Sequence, residues 1–222
     1  GGLNPQAVSE NGTAAPAGFF FSELQHATGV TTEANGSLGI AVTQGAVRLA
    51  DNFTILQPCN ISTVAFYGYQ TGAPATPSPF TALTLQIWNG RPGDMGSAVV
   101  FGDTISNRLA SSVDTTYFRI SNSAVPAPGV APGTTRKIWR NTATVNTVLA
   151  PGTYWLDWAS TVTGAAAHFA PAKTIPGARD ALGDNARQLN VSTGVWVDVA
   201  DSGSPGTAPD VIQDMPFDVV GS

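Results

Sequence analysis

The chain has 222 residues, 42% of them hydrophobic, only 11% charged, and a formal net charge of −5 at pH 7. That length suits one large β-sandwich better than two domains and is enough for a sizeable core. The acidic balance excludes a basic surface for nucleic acid, and no apolar run approaches the roughly 18 residues that a membrane helix needs. Gly (24) and Pro (16) are abundant, so many turns are expected. Cys59 is the single cysteine, which excludes an internal disulfide or a cysteine-rich zinc site and leaves a buried free thiol, with an intermolecular link as the alternative.

Residues 1–21 read as an extended N-terminal arm ending in Phe19, Phe20 and Phe21; residues 22–222 read as a single β-sandwich domain. SELQHA (22–27) is predicted to form one helical turn at most. Short strands are expected over 36–42 and 46–50, with Leu49, Phe53 and Ile55 alternating as core candidates. In 61–70, Val64, Phe66 and Gly68 face one way and Ala65, Tyr67 and Tyr69 the other, which predicts a central strand. The proline-rich stretch 71–79 is a loop. Strand 80–88 points Leu83, Leu85 and Ile87 inward and ends at the turn NGRPGDMG, 89–96.

Strands at 98–101 and 115–120 precede a second Pro/Gly-rich loop, 125–135. Strands at 136–140 and 143–149 lead to APGTYWLDW, 150–158. There Pro151 and Gly152 turn the chain, Tyr154, Leu156 and Trp158 share one face, and Trp155 and Asp157 share the other. The stretch 163–194 is mixed, and its DALGDNARQL segment has room for a helical turn. Val195, Val197 and Val199 alternate as a core face, and a last strand is expected over 215–220. About ten short strands without a long helix predict an all-β fold, an antiparallel β-sandwich of jelly-roll-like form.

The strings GAVRLADNFTI, VAFYGYQTG, LTLQIWNGRPGDMGSAVVFGD, NRLASS, APGTYWLDW and QDMPFDVVG resemble a group of secreted bacterial β-sandwich modules of poorly defined function. The resemblance covers roughly residues 45–222. It implies a jelly-roll-like domain of an exported or surface-attached protein and carries over no catalytic residue. Residues 1–44 lie outside it.

The two histidines, His26 and His168, stand in no metal or hydrolase motif. The three glutamates, Glu10, Glu23 and Glu33, lie near the start, so the paired carboxylates of a glycosidase have one in-strand candidate, Asp157. The plainer expectation for Asp157, and for Asp198 in VWVDV, is a solvent-facing partner of an arginine. Bound calcium would need loop oxygens, and Asp180 and Asp184 are the first candidates, with Asp94, Asp201 and Asp210 behind them. No other cofactor is expected. Trp88, Trp155 and Trp196 fall opposite the expected core faces; exposed together they would form a sugar-stacking platform.

These features lead to a non-enzymatic secreted or cell-surface subunit, structural or adhesive. Its arm, through Phe19, Phe20 and Phe21, would add a strand to another copy and build a filament. The start at Gly1, without Met, is what a processed secreted chain would show, and equally a trimmed one. The alternative is a carbohydrate-binding module using the three tryptophans. The expected partners are other copies of the chain or a surface polysaccharide. A hydrolase built on Asp157 ranks last.

Overall fold

A computed structural model describes residues 17–21, 39–120, 133–171, 185–201, 211–212 and 214–222. Among the described residues there is no helix, and hence none long and apolar enough to cross a membrane. Two sheets face each other. The larger has seven strands in the order β1 (Phe19–Phe21), β7 (Leu109–Ile120), β8 (Lys137–Leu149), β4 (Cys59–Gln70), β10 (His168–Ala170), β2 (Ile40–Ala41), with β15 (Phe217–Gly221) also on β4. The smaller has six, in the order β12 (Val195–Asp198), β11 (Arg187–Asn190), β3 (Val47–Ile55), β9 (Gly152–Val162), β5 (Phe80–Trp88), β6 (Val99–Asp103). A short ladder of β13 (Ala200–Asp201) and β14 (Val211–Ile212) stands apart. Among the described residues all strand pairings are antiparallel except β1 with β7. The chain crosses repeatedly between the sheets, β3 to β4 to β5 and β8 to β9 to β10, as the jelly-roll-like expectation requires.

The core lies between the sheets, where alternation put it. Leu83, Leu85 and Ile87 are buried on β5, and Leu156 and Trp158 on β9. Trp158 stacks on Phe66 of the opposite sheet with ring centroids 4.4 Å apart. β4 is buried on both faces from Val64 to Gln70, as expected of a central strand. Asp51, in the same series as Leu49 and Ile55, is buried too. Its carboxylate accepts the N–H of Asn52 and that of Met215, both at 2.7 Å, and so ties the segment before β15 to β3.

The strand expected over 115–120 starts earlier, at Leu109. Two expectations need correction. Val195 and Val197 are 54% and 53% exposed. Val197 stands in register with Gln188 and, beyond it, core Leu49, but β12 is the edge strand. Val197 lines an open groove of about 370 Å³ with Ile40, Phe169 and Val199 instead of packed core. Cys59 is a free thiol that is only half-buried, because it lies at the end of β4 against Gly221.

Candidate functional site

The outer face of the six-stranded sheet gathers most of the residues singled out by sequence. Register aligns Trp88 with Trp155 and Asn52 in one row, and Gln86, Asp157, Ala50, Arg187 and Asp198 in the next. Trp196 lies on the same face at the β12 edge, opposite Leu189. The three tryptophans do share a face, but they do not form an open platform. Trp155 is only 4% exposed, whereas Trp88 and Trp196 are half-buried and meet edge to face with centroids 6.4 Å apart.

Asp157 is not solvent-facing. Its side chain is 1% exposed and that of its partner Arg48 is 3% exposed. Arg48 Nε donates to Asp157 Oδ1 at 2.6 Å, and Trp88 Nε1 donates to Oδ2 at 3.1 Å. Arg48 Nη1 also donates to Thr84 Oγ1, which donates to Gln44 Oε1 at 2.6 Å. Burial pushes the Asp157 carboxyl above the ordinary carboxylate range, and the bonds from Arg48 and Trp88 oppose it. Both carboxylate oxygens are occupied, so the group is built to hold the sheet face together.

The turn 89–98 lies across this face like a strap. Its own bonds make it rigid: Asp94 N–H to Arg91 O, Ser97 Oγ to Gly90 O, and Ala98 N–H to Asn89 Oδ1. Arg91 pairs with Asp198 of β12, and Arg187 Nη1 donates to Pro92 O at 2.6 Å. Gly93 (φ +92°) touches Trp196 and Arg187; a Cβ there would sit 3.0 Å from Arg187 Nη1. That contact and that backbone together require glycine.

His168 is buried, with Nε2 3.1 Å from Ser160 O. Burial pulls its imidazole below the ordinary value, against its bonds to the Ser160 and Val42 carbonyls. It lies at the foot of an open groove of about 270 Å³ lined by Thr43, Gln44 and Gly164–Ala167. Among the described residues no three His, Cys, Asp or Glu side chains gather to hold a metal. His26 and the calcium candidates Asp180 and Asp184 lie outside the described residues.

The arm's apolar end forms a second site. Phe19, Phe20 and Phe21 lie in β1, paired in parallel with Phe118, Arg119 and Ile120 of β7. Phe19 and Phe118 rings approach to 5.9 Å, and Lys137 sits 5.0 Å from the Phe118 ring centroid. β7 is irregular just before this contact. Its pairing with β8 shifts between Asp114 and Phe118, and Thr116 adopts φ 66° with its N–H on Asp114 Oδ1. Burial raises the Asp114 carboxyl, but Lys137, 2.5 Å away, and the Thr116 N–H outweigh it and hold it below its usual range. A bulge of this kind re-aims a strand edge, and here it precedes the stretch that receives β1.

The class these observations define is an all-β sandwich with a strapped outer face and an added parallel edge strand. No family model, no curated protein and no solved structure matches the chain.

Proposed function

We propose that this chain is a non-enzymatic, exported structural or adhesion subunit that associates with its own copies through the N-terminal arm. The observation that carries the reading is β1. It is a three-residue apolar strand added in parallel to a sheet edge, in a sandwich whose other described strand pairs are antiparallel. Phe19, whose ring meets Phe118, is no part of the packed cluster between the sheets. The same Phe19↔Phe118 register can therefore form between two copies at no loss of contacts, which is the logic of strand exchange. An exchange that closes gives a dimer; one that does not close gives a filament. The low charge, and the resemblance to exported β-sandwich modules, support a cell-surface setting.

The test is light scattering coupled to size-exclusion chromatography over a wide concentration range, with electron microscopy of the concentrated sample. The full chain should form dimers or filaments, and deletion of residues 1–21 should leave monomers. A full chain that stays monomeric at every concentration would refute the reading.

A further inference from the structure

The strap and the edge of the six-stranded sheet bring together four charged groups and two indoles. Arg91 and Asp94 come from the strap, Arg187 and Asp198 from β11 and β12. Asp198 Oδ1 meets Arg91 Nη2 and, at 3.3 Å, Arg187 Nε. Asp94 Oδ1 lies 3.8 Å from Arg91 Nη1 and 3.4 Å from Arg187 Nη1. Each carboxylate thus bridges both guanidiniums through one oxygen. The second oxygen of each takes no hydrogen bond among the described residues. The exposures are ordered: the Asp94 and Asp198 side chains are 53% and 44% exposed, Arg91 and Arg187 24% and 13%. The cluster therefore turns acceptors outward and keeps its cations beneath them.

Beside it stand Trp88 and Trp196, both half-buried. Trp88 is fixed through its N–H on Asp157, and Trp196 is backed by Gly93. We propose that this corner binds a neutral glycan of the β-linked glucan type. The Trp196 indole would cover the axial C–H face of an all-equatorial pyranose, with Trp88, set at 83° to it, bracing its edge. Asp94 and Asp198 would accept from its hydroxyls with their outward oxygens. Four formal charges that sum to zero favour a neutral ligand, and the outward carboxylates would repel a polyuronate. The fixed strap keeps these acceptors in place before the ligand arrives, which lowers the ordering cost of binding.

The probes are cellulose for retention and soluble cellohexaose for tryptophan fluorescence, with polygalacturonate and choline as comparisons. The wild-type chain should be retained, with its fluorescence altered by cellohexaose and by neither comparison. Trp196→Ala should abolish retention. Asp198→Asn, nearly the same shape, should weaken cellohexaose binding about tenfold, the loss of one charge-assisted hydrogen bond. Circular dichroism and thermal melting confirm that each variant folds, and Trp196→Phe replaces Trp196→Ala if the latter does not. Deleting residues 1–21 should leave binding unchanged, which keeps this site separate from self-association. No retention on cellulose, a response to choline or polygalacturonate alone, or equal binding by both site variants would overturn the proposal.

Discussion

Asp51 and Asp157 lie on opposite faces of one sheet, and each is 1% exposed. Asp51 is satisfied by backbone N–H groups, Asp157 by Arg48 and Trp88. Removing one partner of a buried pair leaves an uncompensated charge and costs about 3–5 kcal/mol, whereas replacing both with apolar groups is close to neutral. Arg48→Met should therefore lower stability in urea by that amount, and Arg48→Met with Asp157→Leu should recover most of it. Asp103 behaves differently because it ends β6 with its side chain 40% exposed. N–H groups of Ser106 and Ile105, its bond with Ser106 and then the Arg108 charge draw its carboxyl from 3.8 down to about 2. A folded value below the unfolded one means that this contribution is complete above about pH 4 and fades as pH falls toward 2. Titration by NMR should place Asp103 near 2, and Asp103→Asn should remove that part of the acid sensitivity. Neither buried carboxylate was legible. An aspartate in a strand reads as solvent-facing, and Asp51 sits in the series Leu49, Phe53, Ile55 where alternation alone would demand a hydrophobe.

At the scale of single elements, β5 and β9 were legible because each runs through the middle of its sheet, where the inward face always meets the other layer. β12 defeated the same rule because an edge strand can extend beyond the facing sheet, so Val195 is exposed and Val197 lines an open groove. Sequence named the three tryptophans and set each opposite its own strand's core face, but not what covers the outer face they share. The cover is the strap, whose anchors Arg91 and Arg187 are far apart in the chain. Glycines allow a sharper test. Gly102 in β6 has φ +80°, and a Cβ there would fall 2.1 Å from Leu85 O on the paired strand. Gly164 has φ +77° but open space around it. Gly164→Ala should cost about 1 kcal/mol from backbone strain alone. Gly102→Ala adds a backbone collision and should exceed about 2 kcal/mol, with loss of amide protection along β6.

For the molecule as a whole, the question is which edges remain open. A sandwich has sheet edges, and an exposed edge is a template for another strand. The six-stranded sheet ends in β12 and β6, the seven-stranded one in β2 and β1, with β15, paired only with β4, as a further edge among the described residues. β1 is the end strand that comes from the arm, and its pairing is three residues long. Phe19 is no part of the packed cluster, which draws on both layers, so a chain lacking residues 1–21 should keep its fold and lose little thermal stability. What it should gain is a vacant site at Phe118–Ile120, shaped by the Thr116 bulge and flanked by Lys137. A synthetic peptide spanning residues 15–24 should then bind the shortened chain and not the full-length one. Isothermal calorimetry reads the binding, and Phe19→Asp in the peptide should abolish it, since that ring is the one meeting Phe118. If the shortened chain ignores the peptide, the arm is a local trim of the fold and the self-association reading loses its mechanism.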